Sequence, residues 1–365
     1  MTKIVVEIPG AVPYTVSVGE SRIASLGEVL ADLSATRKAL VITDDVVSPK
    51  YLPSLRASLE QEGYRLDVIT VAAGEEAKSP ACASEIWHAM AECRLDRDSL
   101  IIALGGGVVG DLAGFTGSTF MRGLSIVQVP TTLLSMVDSS VGGKTAINLE
   151  SGKNLVGTFC QPLHVCADIS VLSSLPAREW ACGCAEIAKS AVIDSDDFFF
   201  WLTDHARRLA DRDMQTVQEA VERSVVFKAG VVARDQEETK GVRECLNYGH
   251  TLAHAIERQA GYGVYSHGHA VAEGMRFAAR LAAAELGTSL SFVEAQDALL
   301  DELSLPALDF RADPQDLLDL MFSDKKVRRG ALRFVLPRDV GRWEVVSLDP
   351  ELVLDHLRAW QDSLA

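Results

Sequence analysis

The N-terminal half of the chain alternates between two hydrophobic patterns, and this alternation restricts the fold more than any other feature. Short, β-branched apolar runs begin at Lys38, Leu66, Leu100, Ser125 and Leu163. Segments with helical periodicity separate them, around 49–62, 80–94 and 107–121. Strands that alternate with helices form parallel sheets covered by helices. The sequence therefore predicts an α/β, Rossmann-like domain over residues 1–170.

After Leu175-Pro176 the pattern changes to consecutive helices. Helical periodicity recurs at about 178–193, 213–234, 247–260, 268–286, 291–303 and 313–322. Strand-like sequence is reduced to a short pair near Leu332–Leu336 and Trp343–Val346. We therefore expect a mostly α-helical second domain over residues 171–365. A cleft between the two domains is the expected place for a ligand.

Composition excludes several classes of partner. The net charge of −16 argues against binding to nucleic acid or to an anionic membrane surface. No run of eighteen apolar residues occurs, and the chain enters a strand-like segment directly after Met1, so we expect neither a membrane span nor a signal peptide. The seven scattered cysteines are typical of reduced thiols. We therefore expect a soluble cytoplasmic protein.

A glycine-rich loop follows the strand that begins at Leu100. Within Gly105-Gly-Gly-Val-Val-Gly-Asp111, the first, third and last glycines match the G-x-G-x-x-G spacing. A backbone without Cβ atoms lets a pyrophosphate approach the amides at a helix N-terminus. The loop does not follow the first strand, however, and no acidic residue lies about twenty positions later. A dinucleotide site and simple strand–helix packing both stay open.

A second glycine turn, Val141-Gly-Gly-Lys-Thr145, resembles the end of a phosphate-binding P-loop. The complete motif requires glycine at position 138, where this chain has Asp138. An ATP-binding P-loop is therefore not expected. Lys144 in this turn and Lys153 in the next are still well placed to contact an anion.

Four of the eight histidines lie within twenty positions, at 250, 254, 267 and 269. His250 and His254 are four residues apart on a predicted helix, so both rings project from one face, roughly 6 Å apart along the axis. Thr251 stands where a zinc protease motif requires Glu. A catalytic zinc needs about three protein ligands, and Glu186 could supply a carboxylate. The cluster predicts a metal site or a proton-transfer site.

Several basic residues surround these segments in the sequence. They are Lys189, Lys228, Arg243, Lys325 and Lys326. In an acidic chain they indicate a local positive pocket for an anionic substrate, such as a phosphorylated or carboxylated sugar acid. The alternative is that they are solvated lysines and an arginine on helix faces.

These motifs together resemble the dehydroquinate synthase family of sugar phosphate cyclases, from about Asp44 to Leu336. The matching segments are Gly105–Phe115, Met121–Gly123, Gln128–Leu134, Val137–Thr145, Gly152–Leu155, Ala185–Lys189, Leu246–Glu257 and Asp324–Val327. The resemblance implies a dehydroquinate synthase-like fold and a small anionic substrate, 3-deoxy-D-arabino-heptulosonate 7-phosphate. It implies conversion to 3-dehydroquinate and phosphate in the shikimate pathway, by transient oxidation, phosphate elimination, re-reduction and aldol closure. It also implies a homodimer.

The resemblance further implies NAD and a divalent metal, usually Zn²⁺, with Co²⁺ as an alternative. The implied metal ligands are Glu186, His250 and His267. The implied NAD-binding residues are Asp44, Gly74, Glu75, Lys78, Gly106, Gly107, Val108, Val109, Gly110, Asp111, Thr131, Thr132, Lys144, Lys153 and Ser174. The implied substrate and catalytic residues are Asp138, Lys144, Asn154, Lys189, Lys228, Arg243, Asn247, His254, Lys325 and Lys326, with Arg122 reaching across a dimer interface.

The chain departs from the family pattern in three places. Ser174 replaces the usual Thr, and His269 replaces the usual Glu of a His-Gly-Glu segment. The loop 235–243 is one residue longer than usual. The competing interpretations are another sugar phosphate cyclase, a metal-dependent NAD polyol dehydrogenase, and a non-catalytic NAD-binding protein.

Overall fold

The computed structural model describes residues 2–261, 263–322 and 332–364. These residues form two compact units, Met1–Leu175 with Val217–Glu237, and Pro176–Thr216 with Glu238–Ala365. The chain thus returns to the first unit after it has entered the second, which a single cut near residue 170 does not describe. The domain limits 1–170 and 171–365 stay a prediction.

The predicted strands and helices occur in their predicted order. The strands are β1 (Thr2–Val6), β2 (Tyr14–Gly19), β3 (Lys38–Asp44), β4 (Arg65–Val71), β5 (Leu100–Gly105), β6 (Ser125–Pro130), β7 (Lys144–Leu149), β8 (Gly152–Phe159), β9 (His164–Asp168), β10 (Leu332–Asp339) and β11 (Arg342–Leu348). The helices are α1 (Leu26–Leu33), α2 (Ser48–Gln61), α3 (Pro80–Glu92), α4 (Gly107–Thr119), α5 (Ala177–Asp194), α6 (Asp196–Ala210), α7 (Met214–Arg234), α8 (His250–Ala260), α9 (His267–Leu286), α10 (Leu290–Glu302), α11 (Pro314–Phe322) and α12 (Pro350–Ser363). The structure thus adds β2, β7, β8, α1, α6 and α12, which the sequence patterns did not indicate.

A seven-stranded sheet organises the first unit. Its order is β1-β2-β9-β6-β5-β3-β4. Only β1 and β2 pair antiparallel, and the other neighbours are parallel. The central strands β3 and β5 are buried along almost their whole length, since helices cover parallel sheets on both faces. The predicted parallel α/β architecture is confirmed.

Helix α4 lies close to this sheet because its inner face carries glycine. A Cβ atom at Gly117 would lie 2.4 Å from Ile126 Cδ1 of β6, and one at Gly114 would lie 2.3 Å from Thr145 Cγ2 of β7, in the separate hairpin β7–β8. Neither position can accept a side chain without displacing its neighbour. The close packing fixes the helix N-terminus, at Gly107, just beyond the end of β5.

The second unit is built mainly from helices, as predicted. Nearly every residue of α5 from Trp180 to Ile193 is buried, so α5 is the central helix of this unit. The antiparallel pair β10–β11 corresponds to the strand pair that the sequence indicates. Helices α6 and α12 were not anticipated from the sequence. No helix in the described part of the chain is long and apolar enough to span a membrane.

A buried histidine makes the stability of the first unit depend on pH. His164 lies in β9 between β2 and β6, and its Nδ1 has no hydrogen-bond partner among the described residues. Burial, with a smaller contribution from Lys3, lowers the pKa of His164 to about 4. The ordinary pKa of about 6.5 applies to the unfolded chain. Between pH 6.5 and about 4, His164 is therefore protonated in the unfolded state and neutral in the folded state. The free energy of unfolding decreases as the pH falls through this range.

We expect the free energy of unfolding of the unsubstituted protein to fall by about 2 kcal/mol more than that of His164→Gln between pH 7.5 and pH 5. Urea unfolding of both proteins at each pH measures this difference. Parallel losses in the two proteins would show that His164 does not remain neutral in the fold.

Candidate active site

The carboxyl ends of the parallel strands meet at one edge of the first unit. Strand β3 lies between β4 and β5, so the connections leaving β3 and β5 turn to opposite sides of the sheet. Ligands of open α/β sheets bind at such a switch point. Asp44 ends β3, Gly105 ends the neighbouring β5, and the Thr131 amide bonds to the Gly105 carbonyl at 2.9 Å. Three segments predicted to bind NAD therefore share this edge.

The glycine loop allows close packing of the backbone and leaves the N-terminus of α4 accessible. A Cβ at Gly105 would lie 2.6 Å from Val109 Cβ, and one at Gly110 would lie 2.9 Å from Gln128 Oε1. Close packing therefore requires Gly105, whereas a side chain at Gly110 would displace the end of the Gln128 side chain. Gly106 is the extended residue before α4. Among the described residues, a Cβ atom at this position would approach only Thr132, whose Cγ2 would lie 3.1 Å away. The amides of Gly107 and the following residues form the kind of N-terminus that binds phosphate.

A buried polar network lies beside the loop. The Lys78 ammonium, on a side chain that is 4% exposed, donates to Asp111 Oδ2 at 2.6 Å and to Asn154 Oδ1 at 2.5 Å. Burial raises the pKa of Asp111 although the neighbouring Lys78 charge opposes this. The structure thus brings together two residues predicted to bind NAD and one predicted to bind substrate.

The other predicted NAD-binding residues lie in the same unit, and several have partners there. Asp44 Oδ1 accepts from the amides of Val46 and Val47, at 2.9 and 2.8 Å. Ser174 Oγ bonds to the Tyr51 hydroxyl at 2.5 Å, so Ser keeps the hydroxyl that Thr would offer. The hydroxyl of Thr131 is buried without a hydrogen-bond partner among the described residues.

A π-helical turn, Ser135–Ser139, presents the predicted substrate residue Asp138. Lys228 donates to the Asp138 carbonyl at 2.5 Å and to its carboxylate at 2.6 Å. Lys228 belongs to α7, within the segment that the fold groups with the first unit. Single π-turns of this kind are frequent at functional sites. Lys144, at the start of β7, is exposed.

The second unit contains a cluster of three residues that could hold a metal ion, namely Glu186, His250 and His267. One ligand atom from each lies within 4.8 Å of the other two. Glu186 Oε1 is 3.5 Å from His250 Nε2 and 3.7 Å from His267 Nε2. Both Glu186 oxygens are buried, and within the described chain neither makes a hydrogen bond of normal geometry. A buried carboxylate whose Oε1 faces two imidazole nitrogens, while its Oε2 contacts the Lys189 ammonium, fits a divalent cation.

Glycines bring these three side chains together. A Cβ at Gly268 would lie 2.4 Å from Cys182 Cα, so α9 starts in direct contact with α5. A Cβ at Gly274 would lie 1.8 Å from the Gly249 carbonyl oxygen, so α9 also crosses the start of α8 closely. The contacts place Glu186 of α5, His250 of α8 and His267 of α9 at one point.

The charges of this cluster are strongly coupled. Burial opposes ionisation of Glu186, yet the Lys189 ammonium and the two histidines hold its pKa well below the usual value. Burial lowers the pKa of His250 to about 4 and so keeps the ring neutral. Burial also opposes protonation of His267, but Glu186 and Glu257 raise its pKa to about 10.

Two groups behind the cluster were not predicted as site components. His250 Nδ1 is 3.0 Å from the Tyr248 carbonyl, and His267 Nδ1 is 3.3 Å from Glu257 Oε2. Such partners fix the ring orientation and leave Nε2 for a metal. Glu257 is part of the matching segment Leu246–Glu257, but a Glu on a helix carries no sequence signal for this role. Only the approach of α9 to α8 reveals it.

His254 is near the cluster but is not a member of it. Its ring lies edge-on to His250, with centroids 5.6 Å apart, one turn further along α8. Lys189 is buried in ion-pair contact with Glu186. Arg243 is buried in the short helix Arg243–Asn247, which also contains Asn247. Lys325 and Lys326 lie outside the described residues.

The departure at His269 has a structural explanation. Ser266 is the N-cap of α9, and its hydroxyl accepts from the His269 amide at 3.3 Å while bonding to His269 Nδ1 at 2.6 Å. Ser and Glu at these two positions would form a capping box, in which the Glu side chain turns back to the N-cap. His269 bonds back to the N-cap in a similar way. The ring is therefore part of the helix cap rather than of the ligand set.

Models of one protein family match most of the chain. The model for the N-terminal part of 3-dehydroquinate synthase matches residues 68–182, and the model for its C-terminal part matches residues 183–327. A 3-dehydroquinate synthase from Rhodopirellula baltica is 49% identical over 324 residues, which cover 88% of this chain and 86% of that protein.

Solved structures agree over nearly the whole chain. A 2-deoxy-scyllo-inosose synthase complexed with carbaglucose-6-phosphate, NAD⁺ and Co²⁺ has a TM-score of 0.88 and 25% identity, covering 98% of this chain and 99% of that one. A 2-epi-5-epi-valiolone synthase from Streptomyces hygroscopicus subsp. jinggangensis, with NAD⁺ and Zn²⁺ bound, has a TM-score of 0.88 and 26% identity, covering 99% of each.

Fold and site together define an enzyme of the sugar phosphate cyclase type. Within that class, the family models and the identity to curated relatives are specific. The chain belongs to the 3-dehydroquinate synthase family.

Proposed function

We propose that the chain converts 3-deoxy-D-arabino-heptulosonate 7-phosphate to 3-dehydroquinate and phosphate. The observation that carries the proposal, beyond membership of the family, is the buried cluster of Glu186, His250 and His267 with Lys189 beside it. A cation site with an adjacent ammonium suits a substrate that carries hydroxyls, a carboxylate and a phosphate. A binding protein without catalysis does not require such a cluster.

NAD is proposed to bind at the carboxyl edge of the first unit. The support is the accessible N-terminus of α4, the adjoining end of β3 at Asp44, and the Thr131 hydroxyl, which has no hydrogen-bond partner in the described part of the chain. When bound there, NAD supplies a reversible acceptor for hydride, so that no net reductant is consumed. Lys78 and Asp111 hold each other in place, and Asp111 stabilises the buried ammonium.

A divalent metal, Zn²⁺ or Co²⁺, is proposed to bind Glu186, His250 and His267. The donor set of two imidazoles and one carboxylate is common at catalytic zinc sites. When bound, the metal supplies a Lewis acid for the substrate hydroxyls. Tyr248 and Glu257 keep the two rings turned with Nε2 toward Glu186.

The remaining predicted residues are proposed to recognise the anionic groups and to move protons. They are Asp138, Lys144, Asn154, Lys189, Lys228, Arg243, Asn247, His254, Lys325 and Lys326. Lysine and arginine fix phosphate and carboxylate through charge-assisted hydrogen bonds. The Lys228 ammonium is already oriented by Asp138, so little side-chain freedom remains to be lost on binding. His254, whose ring lies edge-on to His250, is proposed to exchange a proton without being a metal ligand.

The test is phosphate release by the purified protein supplied with NAD and Zn²⁺ or Co²⁺. We expect release from the heptulosonate phosphate, none without metal, and no accumulation of NADH. Preference for sedoheptulose 7-phosphate or glucose 6-phosphate would instead identify another sugar phosphate cyclase. NADH accumulation with glycerol would identify a polyol dehydrogenase, and inactivity of the fully metallated protein with every substrate would refute the proposal.

Substitution of Glu257 provides a prediction about the metal itself. Glu257→Gln removes the carboxylate behind His267 and should lower metal affinity roughly 10–100-fold, because outer partners of ligand histidines have effects of this size. Competition with a chromogenic chelator measures the affinity without any turnover. Glu285→Gln is the matched control, since Glu285 pairs with His356 at 3.2 Å and with none of the three ligands. Equal affinities in the two variants would contradict the role of Glu257.

A homodimer is proposed from the hairpin β7–β8. Strand β8 pairs only with β7 in the described structure, and it exposes Leu155, Val156 and Phe159. A long apolar edge strand in a stable protein normally has a covering partner. Arg122 is exposed and held, with Met121, in the left-handed region, at φ of 73° and 49°. Such strain at an exposed arginine suits contact with a partner subunit. Sedimentation equilibrium tests the proposal, and a monomer at micromolar concentration would contradict it.

A cytoplasmic location is also proposed. Cys82, Cys93, Cys160, Cys166, Cys182 and Cys184 are free thiols, and the last three are buried. Proteins of oxidising compartments seldom keep so many unpaired cysteines. Fractionation of the producing cells with an activity assay tests this location.

A further inference from the structure

Asn148 lies at a bulge in β7 and connects two parts of the expected ligand-binding surface of the first unit. The pairing of β7 with β8 shifts between Ile147 and Leu149, so Asn148 is left out of the ladder. Its backbone amide instead donates to the Lys78 carbonyl at 2.7 Å. Its side chain bonds on both sides, as Nδ2 donates to Glu75 Oε1 at 2.8 Å and Oδ1 accepts from the Asn154 amide at 2.8 Å.

The orientation of this carboxamide follows from its partners. A backbone amide can only donate, so the atom facing Asn154 must be the oxygen. The nitrogen then faces Glu75, whose carboxylate can only accept. Asparagine meets both demands with one short side chain. Aspartate would place a second carboxylate against Glu75, and leucine would satisfy neither partner.

The partners of Asn148 are themselves bound to each other. Lys78 donates to Asn154 Oδ1 at 2.5 Å and lies 3.8 Å from Glu75 Oε1. Asn154 has a φ of +53°, a conformation that an L-residue keeps only when its surroundings hold it there. The bond from the Asn154 amide to Asn148 is one of the interactions that hold it.

We infer that Asn148 is a positioning residue that couples the NAD-binding turn Glu75–Lys78 to the substrate-binding residue Asn154. The inference rests on the proposed function, since it takes Glu75 and Lys78 as NAD contacts and Asn154 as a substrate contact. Asn148 is inferred to act through these residues rather than as a ligand contact of its own. It fixes the Glu75 carboxylate on one side and the backbone of Asn154 on the other.

The two hydrogen bonds of the Asn148 carboxamide, to Glu75 and to the Asn154 amide, can be tested separately by substitution. Asn148→Asp keeps the acceptor for Asn154 and turns the Glu75 contact into repulsion, so it should weaken NAD binding about 10-fold with less than about a 3-fold change in substrate KM. Asn148→Ala removes both contacts and should weaken both ligands. Ser151→Asp is the matched control, because it adds the same charge to the exposed turn of the same hairpin.

A double-mutant cycle tests the contact itself. In the unsubstituted protein the residue at 148 donates and the residue at 75 accepts. When Glu75→Gln and Asn148→Asp are combined, the new amide at 75 can donate to the new carboxylate at 148, so the donor and the acceptor are exchanged. We expect Asn148→Asp to weaken NAD binding less than about 2-fold in the Glu75→Gln background, against about 10-fold in the unsubstituted protein. NAD affinity is measured by calorimetry without substrate, so the result stands even if the proposed reaction fails. Thermal unfolding confirms that each variant is folded.

Three outcomes would overturn the inference. The first is an equal penalty for Asn148→Asp in both backgrounds, and the second is an equal effect of Ser151→Asp and Asn148→Asp on NAD affinity. The third is a folded Asn148→Ala variant with unchanged affinity for NAD and unchanged substrate KM. The inference would be supported if Asn148→Asp weakened NAD binding less than about 2-fold in the Glu75→Gln background and Ser151→Asp left NAD affinity unchanged.

Discussion

Replacement of His250 by alanine is expected to abolish stoichiometric metal binding and to reduce phosphate release by roughly 10³-fold or more. His250 Nε2 is one of two imidazole nitrogens facing the buried Glu186 carboxylate, so its loss leaves two protein ligands where a catalytic zinc site needs about three. A Lewis acid contributes several kcal/mol to the transition state, and each 1.36 kcal/mol is a factor of ten in rate. Metal content by mass spectrometry and phosphate release under saturating substrate measure the two effects.

The control for this variant is His356→Ala. His356 pairs with Glu285 at the surface of the second unit and has no part in the ligand cluster. We expect its metal content and turnover to stay within about 2-fold of the unsubstituted protein, as for most surface substitutions. Retention of one metal per chain by His250→Ala would show that the ligands lie elsewhere.

His254→Ala is expected to keep its metal and still lose roughly 10²–10⁴-fold in kcat. The His254 ring lies edge-on to His250, and the group of described residues that could hold a metal does not include it. Removal of a general acid–base residue lowers the rate of proton transfer without changing the ligand set. The measurement is the same pair of assays, so the two histidines are compared under identical conditions.

His254→Gln refines this comparison. Glutamine can keep a hydrogen bond but cannot exchange a proton near neutral pH. We expect it to recover less than about 10-fold of the lost kcat if proton transfer is the main role. Full recovery would indicate that His254 only binds a substrate group. Loss of metal in His254→Ala would mean that the assignments of ligand and acid–base residue are reversed.

The fold was largely predictable because its strands follow a simple hydrophobic rule. The apolar runs that begin at Lys38, Leu100 and Ser125 became β3, β5 and β6 with the same first residues. Buried parallel strands must be apolar on both faces, and few other structures need such runs. The glycine loop was likewise placed correctly between a strand and a helix.

Helix α6 shows why other elements were missed. Asp196-Asp-Phe-Phe-Phe-Trp201 begins it, and clustered aromatic residues do not show helical periodicity clearly. A capping signal was nevertheless present, since the Ser195 side chain accepts from the Phe198 amide and two aspartates follow. The return of Val217–Glu237 to the first unit had no comparable signal, because contacts between distant segments leave no local pattern.

The candidate metal ligands were predictable from the sequence only in part. Spacing alone puts His250 and His254 on one helix face and makes both equal candidates. The distinction came from the resemblance. In the structure α9 brings His267 Nε2 to 3.7 Å from Glu186 Oε1, and the group of described residues that could hold a metal contains His267 and not His254. His269, unexplained from the sequence, proved to bond with the N-cap Ser266.

The sequence by itself determined the alternation of strands and helices, the position of the glycine loop, and the chemical identity of the candidate ligands. These depend on local hydrophobic periodicity and on residue type, which are properties of neighbouring positions. Only the tertiary structure decided that Glu257 orients His267, that Lys228 orients Asp138, and that Asn148 joins Glu75 to Asn154. Hydrogen bonds between residues far apart in the chain depend on distances of a few tenths of an ångström, which packing sets and periodicity does not encode.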